Sequence, residues 1–224
     1  MKIVISVGGS VLARALSPEK FKNYAAAIKD ISKKNTVYIV TGGGKAARDY
    51  IGVARELGAD EATCDLIGIE LTRLNARLLI TALGDDAYYE PPLNYKEAKN
   101  ASLSGKIVVM GGVTPGQTTD AVSAILAEYI GADLLINATA IDGVYTTDPK
   151  KNRDAKKFDS MTPKQLIEII MKTEMVAGAN APVDLLAAKI IERSNIKTIV
   201  LNGEDPKNIV DAASGKHKGT VIEK

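Results

Sequence analysis

The segment Ile3-Val4-Ile5-Ser6-Val7-Gly8-Gly9-Ser10 determines the fold expected for this chain. Its short apolar run predicts a buried strand, and the glycine pair ends that strand at once. The same arrangement returns at residues 37–44, which end in three glycines, and at residues 106–112, which end in two. Helical patterns separate these strands. Strands that alternate with helices predict a mostly parallel sheet covered by helices on both faces, a three-layer α/β/α sandwich.

The remaining elements extend this alternation through all 224 residues. Ser17-Pro18-Glu19 predicts the start of a helix, because it supplies an N-cap, a proline in the first turn and an acidic residue beside the helix dipole. Further helices are expected near residues 45–58, 60–83, 120–130, 163–172, 183–194 and 206–213. Further strands are expected near residues 133–137, 198–201 and 220–222. We expect a single domain over residues 1–224, with any division into lobes near Gly131.

Composition excludes several classes of protein. Hydrophobic residues make up 46% of the chain, enough for a sizeable core. A net charge of +2 does not supply the basic surface that a nucleic-acid-coating protein needs, and the basic pair at residues 156–157 is expected in a solvated loop. No apolar run is long enough to span a membrane, and the start of the chain lacks a signal-peptide pattern.

Cysteine and histidine are each present once. Cys64 falls in a helical pattern and is expected to be a buried structural thiol, so no internal disulfide can form and a cytoplasmic location is predicted. His217 lies between two lysines and is expected on the surface. One histidine of this kind favours neither a histidine-based catalytic triad nor a histidine-rich metal site.

Glycines at three strand ends indicate a phosphate site. In a parallel sheet, ligands bind outside the carboxyl ends of the strands, and glycine lets main-chain N–H groups approach an anion closely. The P-loop pattern is absent. Residues 42–47 satisfy a loose dinucleotide-binding pattern, but the acid at the required distance, Asp65, lies in a helical segment rather than after a strand, which disfavours a nicotinamide enzyme.

Charged and polar residues accompany these loops. Lys45 and Arg48 begin the helix after the triple glycine, where cations oppose the helix dipole unless an anion binds nearby. Thr118-Thr119-Asp120 opens a helix and can cap it while still presenting N–H groups. In the turn-rich segment 142–149, Tyr145 could stack on a nucleotide base and Asp148 could accept a hydrogen bond from a ribose.

Five segments together resemble the amino acid kinase family and cover nearly the whole chain. They are Ser6-Val7-Gly8-Gly9-Ser10, Gly42-Gly43-Gly44-Lys45, Thr118-Thr119-Asp120-Ala121, Asp142-Gly143-Val144-Tyr145-Thr146-Thr147-Asp148-Pro149 and Ala187-Ala188-Lys189-Ile190. Within the family, the short length and residues 111–120 resemble archaeal-type UMP kinases. The resemblance implies transfer of the γ-phosphoryl group of ATP to UMP, Mg²⁺ held mainly by the ATP phosphates, and a homohexamer built from dimers. It also implies an acceptor-binding lobe at about residues 1–131 and an ATP-binding lobe at about 132–224.

The resemblance further implies roles for individual residues. The residues expected to bind ATP are Gly9, Ser10, Gly44, Arg48, Thr139, Tyr145 and Asp148. Those expected to bind UMP are Gly43, Asp65, Val113, Thr114, Pro115, Gly116, Gln117, Thr118 and Thr119. The catalytic candidates are Lys45, Arg48, Asp120 and Lys189.

One position departs from the family pattern. Several relatives carry a lysine where this chain has Ser6, so the main catalytic cation is left open among Lys45, Arg48 and Lys189. Two other functions stay open. An isopentenyl phosphate kinase would be expected to have the early lysine and a histidine soon after the triple glycine, neither of which is present. A non-catalytic nucleotide-binding sensor or storage subunit would fit the missing lysine.

Overall fold

A computed structural model describes residues 1–149, 151–174 and 183–224. These residues form one seven-stranded sheet. Its strands in chain order are β1 (Lys2–Val7), β2 (Thr36–Thr41), β3 (Val108–Met110), β4 (Leu134–Thr139), β5 (Ser160–Met161), β6 (Thr198–Asn202) and β7 (Thr220–Ile222). Their order across the sheet is β3-β2-β1-β4-β6-β7-β5, and every neighbouring pair is parallel except β6 with β7. The predicted mostly parallel sheet is confirmed.

The described residues contain nine α-helices on the two faces of this sheet. They are α1 (Gly9–Leu12), α2 (Pro18–Ser32), α3 (Gly44–Glu56), α4 (Glu61–Leu83), α5 (Tyr95–Ala101), α6 (Thr119–Ile130), α7 (Pro163–Glu174), α8 (Leu185–Ser194) and α9 (Lys207–Ala213). Their ends follow local chemistry. Asp60 caps α4 by accepting a hydrogen bond from the Thr63 N–H at 2.8 Å, and Gly58 follows α3 with a φ of +89°.

Two separate cores lie on opposite faces of the sheet because side chains alternate along each strand. Val4 and Val40 point to a core shared with α5, α6, α7 and α8. Ile3, Ile5 and Ile39 point to the other core, shared with α1, α2, α4 and α9. Fully burying each such side chain stabilises the fold by roughly 1.5–3 kcal/mol. The three layers predicted from the sequence are therefore present.

Strand direction places the carboxyl ends of β1, β2 and β3 side by side at one edge of the sheet. The chain leaves each of them through glycines, and α1 and α3 begin there. Cys64 is buried in α4, as expected. None of the helices in the described ranges is both long and apolar enough to cross a membrane.

Candidate active site

The glycine loops after β1 and β2 are packed backbone against backbone. A Cβ atom on Gly9 would lie 2.1 Å from the Gly44 nitrogen, and one on Gly42 would lie 2.3 Å from the Gly9 nitrogen. Real Cβ atoms do not approach so closely, so no side chain can be accommodated at either position. Gly111, after β3, is held in the same way against Thr72 of α4, where a Cβ would lie 2.4 Å from the hydroxyl oxygen. The three loops therefore form one continuous rim.

A cleft of about 480 Å³ opens along this rim between α3, α4 and the start of α6. It contains nine of the residues expected to bind substrates, contributed by four separate parts of the chain. These residues are Gly9, Ser10, Gly43, Gly44, Arg48, Asp65, Gln117, Thr118 and Thr119. Because they converge on one cleft from distant segments, the arrangement is suited to a phosphate-bearing ligand.

The start of α3 leaves main-chain N–H groups available to that ligand. Its N-cap, Gly43, provides no side-chain acceptor, and the first turn contains no acidic residue. The thirteen-residue helix therefore directs the positive end of its dipole at the cleft. Arg48 lines the cleft one turn further on. Lys45 does not line it, because its ammonium pairs with Asp49 at 2.6 Å on the exposed side of α3.

Asp65 connects α4 to the segment before α6. Its Oδ2 accepts a hydrogen bond from the Gly116 N–H at 2.8 Å, and the Asp65 side chain lines the cleft. The side chain of Gln117 accepts a hydrogen bond from the Tyr95 hydroxyl at 2.9 Å. Residues 113–116 do not line the cleft, although Gly112 and Gln117 on either side of them do, and Val113 packs against the core. Their expected contacts with UMP stay predictions.

Asp120 is half-buried in the first turn of α6, next to the cleft residues Thr118 and Thr119. Ser6 Oγ donates to Asp120 Oδ1 at 3.2 Å, so the hydroxyl at the family lysine position contacts this carboxylate directly. Burial, followed by repulsion from the Asp184 carboxylate, raises the pKa of Asp120 to about 6, while hydrogen bonds from Ser6 and Asn137 act in the opposite direction.

Asp184 is a site residue that sequence reasoning missed. One of its oxygens caps α8 by accepting from the Ala187 N–H at 3.0 Å, and the other accepts the Thr118 hydroxyl proton. Thr118 in turn caps α6 by accepting from the Ala121 N–H at 3.1 Å. An aspartate directly before the apolar run of α8 is an N-cap signal visible in the sequence, whereas its contact with Thr118 spans 66 residues.

The residues expected around the ATP base and ribose lie apart from the cleft. Thr139 ends β4 beside Gly8, and the Tyr145 hydroxyl donates to Asp142 Oδ1 at 2.7 Å. Asp148 occupies a turn in which its carbonyl accepts from the N–H of Asn152. Lys189 lies in the middle of α8, and its ammonium is 3.2 Å from the Glu192 carboxylate. The roles of all these residues stay predictions.

Comparison with known proteins agrees with this geometry. The model of the amino acid kinase family matches residues 1–202. A uridylate kinase of Methanosarcina mazei is 60% identical over 216 residues, which cover 96% of this chain and 93% of the relative. A uridylate kinase of Methanococcoides burtonii is 59% identical over 211 residues, 94% of this chain and 90% of the relative.

The crystal structure of uridylate kinase from Archaeoglobus fulgidus superposes with a TM-score of 0.91 at 51% identity, and the match covers 99% of this chain and 100% of that one. The matched region extends from β1 to the end of β6 and contains every element that lines the cleft. This chain therefore belongs to the amino acid kinase family.

Proposed function

We propose that this protein is a cytoplasmic UMP kinase, which transfers the γ-phosphoryl group of ATP to UMP and so supplies UDP for pyrimidine nucleotide synthesis. The observation that carries the proposal is the convergence of the predicted phosphate-binding and UMP-binding residues on one cleft. Extensive identity with uridylate kinases over almost the whole chain supports the choice of acceptor.

Positioning and charge neutralisation would provide most of the rate acceleration. Phosphoryl transfer needs little covalent chemistry from the protein, and a UMP phosphate is already ionised at neutral pH because its second pKa is about 6. We assign the main-chain N–H groups at Gly9, Gly43 and Gly44 to the phosphates. Arg48 would neutralise charge on the oxygens of the transferring group. Asp65 and residues 113–119 would hold UMP, and Thr139, Tyr145 and Asp148 would hold the adenosine end of ATP.

The hydroxyls of Ser10 and Thr119 line the cleft and are oxygen donors of the kind that Mg²⁺ prefers. Ser10 would help to hold Mg²⁺ on the ATP side, where the ion would supply positive charge to neutralise the phosphates. We also propose the homohexamer, an acceptor lobe at residues 1–131 and a donor lobe at residues 132–224.

A coupled assay for ADP release tests the acceptor. The purified protein would be given ATP and, separately, UMP, CMP, AMP, GMP and isopentenyl phosphate. The proposal expects turnover with UMP that exceeds turnover with the other acceptors by at least about tenfold, because a site built to hydrogen-bond one base rejects others strongly. Turnover on isopentenyl phosphate, or tight ATP binding with turnover on none of the acceptors, would reject the proposal.

A further inference from the structure

A second cavity, of about 660 Å³, lies at the same edge of the sheet beyond the end of β6. Its walls are α9, the segment before β7, and two residues of the chain between β4 and β5, Asp142 and Lys157. No residue of the described chain lines both this cavity and the phosphate cleft. α9 belongs to the core on the opposite face from α8. The cavity is therefore distinct from the cleft.

Basic side chains are concentrated on this cavity. Four lysines and the only histidine of the chain line it: Lys157, Lys207, Lys216, Lys218 and His217. Of these lysines, only Lys157 has an ion pair within the described ranges, 3.1 Å from Asp142. Asp205 and Asp211 also line the cavity, and Asp205 accepts from the Lys207 N–H at 2.9 Å. The remaining ammonium groups are available to an anion.

His217 is half-buried rather than fully exposed, so the expectation of a surface histidine holds only in part. Its Nδ1 atom is buried and has no hydrogen-bond partner among the described residues. A buried polar atom without a partner is unfavourable and indicates a missing ligand or water. The imidazole and its two neighbours, Lys216 and Lys218, all line the cavity.

A short chain of contacts joins this cavity to the loop expected to hold ATP. The Lys157 ammonium donates to the Lys218 carbonyl at 2.9 Å and to Asp142 at 3.1 Å. Asp142 in turn accepts from the Tyr145 hydroxyl at 2.7 Å. The expectation that Lys157 lies in a solvated loop is wrong, because the side chain is only 26% exposed.

Main-chain contacts anchor the same loop to β7. The Val144 N–H donates to Thr220 Oγ1 at 2.8 Å, and the Phe158 N–H donates to the Val144 carbonyl at 2.9 Å. Gly143 sits so close to Thr220 that a Cβ would lie 2.6 Å from its hydroxyl oxygen. A displacement of residues 216–219 would therefore be transmitted to Tyr145.

We propose that the cavity binds a small molecule bearing a polyphosphate group, and that its occupancy weakens ATP binding through Lys157, Asp142 and Tyr145. A polyphosphate satisfies several ammonium groups at once. It would draw Lys157 away from Asp142, so Asp142 would no longer be fixed where it holds Tyr145. The effect on ATP rests on the proposed function, whereas the binding site does not.

Calorimetry with inorganic pyrophosphate tests the site directly. Both substrate positions would first be saturated with an analogue in which adenosine and uridine are joined through five phosphates. Pyrophosphate should then still bind at one site per chain. Lys216→Ala/Lys218→Ala should weaken this binding at least about tenfold, since two charge-assisted contacts are lost. The matched variant Lys34→Ala/Lys106→Ala removes two exposed lysines from the opposite edge of the sheet and should bind as the wild type does.

Two calorimetric results would overturn the site. One is loss of all pyrophosphate binding once the analogue is bound, which would place the anion in the substrate cleft. The other is equal weakening by both double variants, which would indicate general surface charge. Binding of the analogue itself, measured in the same experiment, reports separately on the proposed function.

Steady-state kinetics test the coupling. Without pyrophosphate, Lys216→Ala/Lys218→Ala should keep kcat and the KM for ATP within about twofold of wild type, because neither lysine contacts the cleft. With pyrophosphate and saturating UMP, the wild-type KM for ATP should rise severalfold to a plateau. The variant should show no such plateau. Identical pyrophosphate effects in the two proteins would reject the coupling.

Discussion

The hydroxyl of Thr118 donates a hydrogen bond to the carboxylate of Asp184, and this contact joins the phosphate cleft to the helix that follows the ATP-side loops. Thr118 lines the cleft and caps α6, while Asp184 caps α8. One pair of side chains therefore fixes two helix starts relative to each other. If the two lobes proposed above are correct, the pair connects one lobe with the other.

Replacing Asp184 by alanine should raise the KM for UMP about tenfold, because Thr118 loses a charge-assisted partner that orients it toward the cleft. Loss of the α8 cap should also lower the free energy of unfolding by about 1 kcal/mol. Asp184→Asn keeps one oxygen that can cap α8, while its amide NH₂ group takes the place of the oxygen that accepts from Thr118 and can only donate to that hydroxyl. It should therefore restore most of the stability but only part of the KM. Kinetics and urea unfolding would be measured on the same preparations. A destabilised alanine variant with the wild-type KM would show that Asp184 only caps α8.

The half-buried carboxyl of Asp120 should make the free energy of unfolding fall as the pH rises. Its folded pKa of about 6 lies above the ordinary aspartate value of about 3.9, so the folded protein retains a proton that the unfolded chain has lost. The contribution of this protonated carboxyl to the free energy of unfolding is fully favourable below about pH 4. It is lost as the pH rises through 6, and the change amounts to about 3 kcal/mol.

Asp120→Asn removes this titration and should therefore gain stability relative to wild type above pH 6, with little difference near pH 4. Urea unfolding at pH 4, 5 and 7 would measure the gain. Turnover should fall in the same variant, because stabilised active-site substitutions commonly lose function. A gain of equal size at all three pH values would contradict the raised pKa.

The rim of the cleft could be predicted from the sequence because each of its parts is formed by residues that are close together in the chain. A buried strand followed at once by glycine is visible within eight residues, and parallel strands must place those glycines at one edge. The short spacing from Gly42 to Arg48 likewise put the arginine in the first turns of α3. The sequence does not show why positions 9 and 42 must be glycine. The reason is that two loops 33 positions apart meet backbone to backbone.

Features that depend on distant contacts were missed. The hydrogen bond from Ser6 to Asp120 spans 114 positions, and neither residue type predicts the other. Helices α1 and α5 are too short to establish a period of 3.6 residues, and β5 has only two residues. The partial burial of His217 was missed for a related reason. Flanking lysines suggest exposure, while the cavity that the imidazole lines is assembled by tertiary structure.

Arg48 and Lys45 offer a direct comparison of two cations one turn apart. Arg48 lines the cleft, whereas Lys45 is engaged by Asp49 outside it. Arg48→Ala should lower kcat about 10²–10³-fold, the loss expected when a group that stabilises transition-state charge is removed. Lys45→Ala should change kcat by less than about threefold. Neither variant should alter the melting temperature much, because both side chains are exposed.

The comparison also tests whether Arg48 or Lys45 takes the part of the lysine that several relatives carry at the position of Ser6. Arg48→Lys would keep the charge but lose the two-pronged contact with phosphate oxygens, so intermediate turnover is expected. If Lys45→Ala were the inactive variant instead, Lys45 would have to leave Asp49 when substrates bind.

Replacement of two glycines near the cleft by alanine should change the free energy of unfolding in opposite directions. Gly9→Ala forces a methyl group to 2.1 Å from the Gly44 nitrogen, and the neighbours are backbone atoms that cannot rotate away. We expect a loss of about 1–3 kcal/mol or more in the free energy of unfolding, together with reduced turnover as the loops separate. Gly52, inside α3, has open space around the added methyl group. Gly52→Ala should therefore stabilise the protein by about 0.5–1 kcal/mol, because alanine loses less backbone entropy in a helix.

Both effects would be measured as shifts in the urea concentration at the midpoint of unfolding. The dependence of the unfolding free energy on urea concentration should stay unchanged. Gly52→Ala is the matched control, since it adds the same methyl group within α3, the helix that follows the second glycine loop. Wild-type stability in Gly9→Ala would mean that the two loops move apart without cost, and a cleft with such a rim could not hold two phosphates in a fixed alignment. Loss of stability with full turnover would instead show that contact between the loops supports the fold alone, and that the phosphates are aligned by α3 and Arg48.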